Sequence, residues 1–459
     1  MRRGAAEEIA GFLSFSADYR DRITAIEKFS GRDWEGVLRW MDDAGLAFYF
    51  LQKLKDTNAL HILPTGVRGR LESNFVSNQL RMDDMAQRFH AINTRLNAAG
   101  VRYVVIKGFS LVPEFCRYAS LRYQSDFDYL VEREDLAVAR SVLREAGYKA
   151  KKSRSTKESI FLSAEREPSR SAEQYSAAAP HAVELHTDIW DDEMHGIPAM
   201  EGVFAVEQAT AKHWNGISFP AQSDEDAFLL QVLHACHHLF TQWIRMSCLF
   251  EIGYFLNGRA GDEELWRRVE RRVGNREVLR EFVVIVSELA ALVFGAPLPA
   301  LVQAWGAGIR PGPRIWIENY ARNWVFAELP VYQFSLLPRS KLVLFLQRQY
   351  RRSSAGGPEH VRTHRSRMSG IVSSVQRDPS LVFDADWWRR QVLIRRAVFY
   401  LLAELRYICE IPRWRWLNRR GARVVEASLD RQSAQTGKKS MNLRAATDAE
   451  VDEGAVRLS

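Results

Sequence analysis

The 459-residue chain is poor in cysteine: its four thiols, at 116, 236, 248 and 409, are scattered, without the paired spacing of a metal or redox motif. That excludes a disulfide-stapled scaffold and a cysteine-held metal, and it points to a reduced, cytoplasmic setting. Long hydrophobic runs are also missing. The two most apolar stretches, Phe282–Val286 and Ala397–Ala403, fall far short of the ~20 residues a membrane helix needs. Ser287 and Glu288 separate the first of them from Leu289–Phe294, so no integral membrane protein is expected. At the amino terminus Glu7 and Glu8 follow Arg2 and Arg3 and interrupt the apolar stretch of a signal peptide, so no targeting segment is visible. Neither charge sign dominates. A net charge of +8 suits an anionic substrate or a nucleic acid and argues for neither. There is no internal repeat. What remains is an ordinary globular composition, 46% apolar and 26% charged, long enough for several domains and at least one large core.

What is present is a change of period. Residues 5 to 98 read as helices, with Trp34, Val37, Leu38, Met41 and Ala44 at helical spacing and Asp83–Ala98 as a further periodic segment. At Val101 the pattern becomes that of strands. Val101–Ile106 is an apolar, β-branched run that turns at Lys107-Gly108, and Ser110–Tyr118 is a short helix or turn. Phe127–Val131 is a second strand, reached through Asp126-Phe127-Asp128. Asp135–Ala146 is a helix stopped by Gly147, and Tyr148–Lys152 and Glu158–Ser163 are further strands. Ala164–Pro180 is a polar loop, and His181–Ile189 is the strand that carries Glu184.

Alternation along a strand puts Asp126 and Asp128 on one face and Phe127 in the core. It likewise puts Glu184 and His186 opposite Val183 and Leu185. Two neighbouring carboxylates repel unless a cation lies between them, and a hard, oxygen-preferring ion such as Mg²⁺ suits them. If the Glu184 strand pairs beside the first, three carboxylates converge.

The ordered set Lys107, Gly108, Arg122, Asp126, Asp128, Leu130, Val131, Gly147, Tyr148, Glu184, Leu185 and His186 resembles the bacterial "uncharacterised nucleotidyltransferase" family. That family is similar in fold to the DNA polymerase β-type nucleotidyltransferases. The resemblance covers Val101 to Trp190 well and a His-rich helical stretch after it loosely. One departure concerns the wider fold group, which carries Gly-Ser at the end of its first strand where this chain has Lys107-Gly108. The resemblance implies an α+β fold, a small mixed β-sheet nucleotidyltransferase domain embedded in a largely α-helical chain. The expected regions are a helical 1–95, the nucleotidyltransferase domain at 96–195, a helical domain at 196–300, an Arg/Trp-rich helical region at 301–425 and a disordered tail at 426–459.

The implied activity is Mg²⁺-dependent transfer of a nucleoside monophosphate from an NTP such as ATP, with release of pyrophosphate. Asp126, Asp128 and Glu184 would be catalytic and hold two Mg²⁺ ions, and Glu184 could take a proton from the acceptor hydroxyl. Lys107, Gly108 and Arg122 would meet the triphosphate. The blander readings leave Lys107 solvated and pair Arg122 with Asp126 or Glu134. The acceptor, whether a small molecule, a protein side chain or an RNA end, is not written in the motif.

Asp224–Leu256 reads as a long helix or helix pair whose buried face is Phe228, Leu229, Val232, Leu233, Cys236, Leu239, Phe240, Trp243 and Ile244. A separate stripe of His234, His238, Thr241 and Arg245 either faces the nucleotide or its acceptor, or is a polar helix face. As a helical metal pair His234 and His238 lack a third ligand beyond the adjacent His237. Glu264–Phe294 is helical, and prolines at 297, 299, 311 and 313 mark a connection. Arg314–Tyr350 contains aromatic helices, Arg351–Arg367 is a basic loop, and Trp387–Leu417 is helical up to about Pro412. From Glu426 onward apolar periodicity stops and disorder is expected.

Two other functions compete. One is a catalytically inactive nucleotide-binding scaffold of the same fold. The other is nucleic-acid binding through the basic carboxy-terminal region, where ten arginines stand against two glutamates from Trp387 to Arg423 and Trp414 and Trp416 alternate with Arg413 and Arg415. The same pattern suits a membrane-surface helix, an acidic partner, or simply a core helix with a solvated basic face.

Overall fold

The computed structural model describes residues 3–16, 19–151, 157–163, 175–177, 179–190, 197, 203–241, 244–327, 341–351, 394 and 397–421. Five helices come first: α1 (Arg3–Phe12), α2 (Arg20–Glu27), α3 (Gly31–Ala44), α4 (Ala47–Asp56) and the long α5 (Thr65–Ala98). Local signals set their ends. Ser30 and Asp33 form a reciprocal capping box at the start of α3, and Gly45, at φ 72°, closes it in the left-handed conformation.

Seven strands follow: β1 (Tyr103–Val105), β2 (Asp126–Val131), β3 (Lys149–Lys151), β4 (Glu158–Leu162), β5 (Ala182–His186), β6 (Thr210–Trp214) and β7 (Ile217–Ala221). Helix α6 (Leu136–Glu145) lies between β2 and β3. The strands make one mixed sheet in the order β3-β4-β5-β2-β1-β7-β6. On one face Phe127, Tyr129, Val131, Val183 and Leu185 are buried under Met82, Met85, Phe89, Ile92 and Leu96 of α5 and Leu143 of α6. On the other face Val104, Ile106 and Leu130 meet Leu230, which belongs to α7 (Asp224–Phe240).

Helix α7 is fixed at its start by charge. Ser223 caps it, and its first-turn acids suit the positive end of the helix dipole. Each acid is also paired: Asp224 with Arg259 at 2.7 Å, Glu225 with Arg268 at 3.0 Å and Asp226 with Arg272 at 2.5 Å. Those arginines stand on α8 (Met246–Arg259) and α9 (Glu263–Val273). Then come α10 (Glu277–Phe294), α11 (Ala300–Ala307), α12 (Pro311–Trp316), continued through Ile317–Ala321 into α13 (Arg322–Val325), α14 (Val343–Gln347) and a last helix, α15, over 397–421. The amino-terminal and carboxy-terminal helices share one large apolar core with α7 to α10.

Two expectations are corrected. Residues 210–221, expected within a helical region, are strands: β6 and β7 form a hairpin that joins the sheet, β7 running parallel to β1 with Val105 opposite Ala221. Its turn is Asn215-Gly216, both at positive φ (48° and 75°), the geometry that suits the right-handed twist of paired strands. Helix α15 continues past Pro412 to residue 421, because Ile411, Trp414 and Leu417 keep packing on the helical core and tertiary contact outweighs the break a proline makes.

The helix pair expected at Asp224–Leu256 is α7 and α8. All four cysteines are unpaired, and among the described residues no helix is long and apolar enough to cross a membrane. The side chain of Trp243, most of the 164–180 loop, the basic loop beyond Arg351 and the tail from Glu426 lie outside the described residues.

Candidate active site

The site is assembled by the pairing of two non-adjacent segments. β2 and β5 run parallel with Asp126 opposite Ala182, Asp128 opposite Glu184 and Leu130 opposite His186. With Phe127, Val183 and Leu185 in the core, all the polar members of the two strands share the opposite face. Arg81 of α5 holds the approach to both strands. Its guanidinium, 1% exposed, donates to the carbonyls of Gln124, Ser176, Ala179 and Pro180 at 3.1, 3.0, 2.8 and 3.3 Å.

Ligand atoms of Asp128, Glu184 and His186 all lie within 4.8 Å of one another. His186 Nε2 is 3.2 Å from Asp128 Oδ1 and 3.6 Å from Glu184 Oε2. Lys107 reaches in from the end of β1, and its Nζ donates to the same Asp128 oxygen at 2.8 Å. Asp128 is buried, whereas 22% of the Glu184 side chain remains exposed. Asp126 stands outside this tight group, one alternation back along β2.

Charge sorts the two aspartates. Burial raises Asp126, and repulsion from Asp128 and Glu184 adds to it, so its carboxyl is pushed up to about 7. No hydrogen bond reaches that carboxylate among the described residues. Burial works against ionised Asp128 too, but the Lys107 ammonium and the His186 hydrogen bond overcome it and hold the group well below the ordinary carboxylate range. His186 pays the desolvation of its cation yet rises to about 9, because Asp128 and Glu184 both accept from it.

Lys107 is therefore neither solvated nor free but bound to Asp128. Arg122 pairs with neither Asp126 nor Glu134. Its Nε donates to Glu251 Oε1 at 2.8 Å, and the Tyr49 hydroxyl donates to that same oxygen at 2.9 Å. Glu251, in α8, is 1% exposed. It was the legible clue that went unread: a carboxylate inside the apolar run Cys248–Ile252 needs a buried cation or donor. Gly108 has φ 67°, and the side on which a Cβ would project is filled by the Gln124 amide. That amide donates to the Asp126 carbonyl at 2.7 Å, so what glycine admits there is Gln124.

Across from the carboxylates runs α7. Leu230 packs on Leu130, and one and two turns further on come His234 and His238, their Nε2 atoms 3.2 Å apart. Burial drives both imidazoles well below their ordinary value, and the nearby Lys107 charge pushes the same way. The two histidines are thus neutral and close enough to Lys107 for its charge to reach them. Among the described residues they have no third metal ligand: the set that could hold an ion is Asp128, Glu184 and His186. A further residue, absent from the sequence reading, is Gln222 just after β7. Both of its side-chain amide atoms are buried without a hydrogen-bond partner among the described residues.

Comparison with known proteins narrows the class. No curated protein and no solved structure matches the chain. A family model does, over residues 30–295, from the start of α3 to the end of α10 and so through every element that builds the site. The chain belongs to the uncharacterised nucleotidyltransferase family.

Proposed function

We propose that the chain transfers a nucleoside monophosphate from an NTP to an acceptor, using two Mg²⁺ ions held by Asp126, Asp128 and Glu184. The observation that carries this reading is the parallel register that sets Asp128 against Glu184. The donors suit the ion. They are hard carboxylate oxygens, and burial with the charges of Asp128 and Glu184 raises Asp126 to about 7 in spite of Lys107 and Arg122, so a divalent ion there would relieve a repulsion those two cations leave. Bound there, Mg²⁺ supplies the charge that stabilises the attacking and leaving oxygens of an in-line displacement.

The side chains do the rest. Lys107, with three donors and one of them on Asp128, offers the others to the triphosphate. Glu251 holds Arg122 by its Nε, which leaves the terminal nitrogens of the guanidinium for a phosphate oxygen. Gly108 and Gln124 shape the turn against which the phosphates lie. Glu184, the more open carboxylate, takes the proton of the acceptor hydroxyl. The acceptor oxygen bonds to the α-phosphorus, the bond to the bridging oxygen breaks, and pyrophosphate leaves. His234 and His238 of α7 would face the base, ribose or acceptor across the carboxylates, and Gln222, at the end of the strand beside β1, would offer its amide from the sheet side.

The test is incubation of the protein with each α-labelled NTP, Mg²⁺ and cell extract. Label should pass to an acceptor, and Asp126→Ala, Asp128→Ala or a chelator should abolish it. Transfer that survives Asp128→Ala sinks the reading. One observation favours the alternative of a nucleotide-binding scaffold without turnover: Lys107 already neutralises Asp128. Tight NTP binding with no transfer would select it.

A further inference from the structure

Of the twelve large apolar side chains that stand exposed among the described residues, seven belong to Ile394 and helix α15. At 3.6 residues per turn, Val398, Leu401, Leu402, Leu405, Ile408 and Trp416 fall within one stripe of ~120°. Leu401 and Leu402 are each 59% exposed. The other side of the same helix is firmly seated. Ala403 and Tyr407 are buried, and the rings of Tyr407 and Trp414 stack on Phe345 at 4.6 and 4.9 Å. The helix is therefore part of the folded body, and its apolar row faces outward.

Charge says what that row meets. By the same count exposed Arg406 lies just beyond one edge of the stripe and exposed Arg415 just beyond the other, while exposed Arg419 and Arg420 stand five turns on from Leu401 and Leu402, in line with the stripe towards the carboxy-terminal end of the helix. The described helix has two acids, and both are paired: Glu404, its side chain 44% exposed, with Lys341, and Glu410 as acceptor from the Tyr320 hydroxyl at 3.2 Å. The exposed charge on this helix left without an ion-pair partner among the described residues is positive. A second copy set on this face would bring arginines against arginines. A nucleic acid would answer the charge and leave the leucines in water. A bilayer surface rich in anionic phospholipid answers both at once, since apolar side chains enter the acyl boundary while arginines extend to the phosphates. Trp416 suits the same boundary.

We propose that α15 is a peripheral membrane-binding surface that lays the protein on anionic phospholipid without crossing it. Cys409 provides the reporter. It is exposed, the other three cysteines are buried, and its helical position places it within the stripe.

The full chain, labelled at Cys409 with an environment-sensitive fluorophore, is mixed with vesicles of phosphatidylglycerol and phosphatidylcholine, or of phosphatidylcholine alone. The expected result is flotation and a blue shift with the anionic vesicles and neither with the neutral ones. Each arginine near an anionic surface contributes about a fivefold factor in binding, so Arg406→Ser/Arg415→Ser/Arg419→Ser should weaken it about a hundredfold. Leu401→Asp/Leu405→Asp should weaken it more than tenfold, with an unchanged far-ultraviolet spectrum. Should either variant fail to fold, the wild-type comparison of the two vesicle types decides. No binding to anionic vesicles overturns the proposal. So does a dimer in sedimentation that Leu401→Asp dissociates, which would assign the face to a second copy. Retention of RNA or DNA that needs the arginines but not the leucines, without vesicle binding, also overturns it.

Discussion

Arg81 sets the two site strands side by side, and removing it tests how the site is built. No carboxylate pairs with it among the described residues; its four hydrogen bonds all go to main-chain carbonyls just ahead of β2 and β5. Arg81→Met keeps much of the apolar stem and deletes the donors. Two of the bonds, to Gln124 and Ala179, are buried. A buried group left without a partner costs about 1–3 kcal/mol, so these two give about 2–6 kcal/mol. The other two carbonyls can turn to water. No longer burying an unpaired guanidinium returns part of the cost, and a net loss of about 3 kcal/mol is expected. At about 2–4 °C per kcal/mol for a large domain, the melting temperature should fall by roughly 6–12 °C. Calorimetric titration with Mn²⁺ should also show weaker binding, although none of the three carboxylates has been touched. Arg81→Lys, with the charge but not the fork, should fall between. A variant that melts within 2 °C of the parent and binds Mn²⁺ equally well would refute the reasoning, within about that tolerance.

Two further outcomes are expected. Glu251→Gln removes the charge that holds Arg122 at 2.8 Å; it should raise the KM for NTP several-fold and leave kcat nearly unchanged, and steady-state kinetics with the partition reversed would count against a positioning role. Burial, with the charges of Arg88 and Arg81, lowers His181 from 6.5 to about 4. The unfolded chain thus takes up a proton below pH 6.5 that the fold refuses until about pH 4, and the contribution of His181 to stability is whole above pH 6.5 and drains away between those values. Urea midpoints across that range should fall less steeply in His181→Gln, which can still bond the Tyr148 hydroxyl; parallel slopes would show that His181 is not involved.

Much of this was legible. Alternation placed Asp126 and Asp128 on one face, and the same rule placed Glu184 and His186 together, because a strand with one buried face leaves little freedom. The helical stripe of His234 and His238 was legible as a stripe, though only the fold, which sets Leu230 in one cluster with Leu130 and brings the Lys107 charge to both imidazoles, shows what it faces. The hairpin at 210–221 went unread although Asn215-Gly216 between alternating residues is a strong turn signal. Partners far apart in the chain were beyond reach. Nothing near Arg122 in the sequence announces Glu251, 129 residues away. The bond from Lys107 to Asp128 likewise depends on the antiparallel pairing of β1 with β2.

The hairpin changes what counts as the smallest working piece. A fragment ending at residue 195 would strip β7 from β1 and uncover a hydrogen-bonding edge, the kind of border along which chains stick to one another. It would also lose the wall of α7 that closes over Leu130. Excision at that boundary should give an insoluble sheet, whereas a cut placed after α10 keeps both the edge and the wall covered.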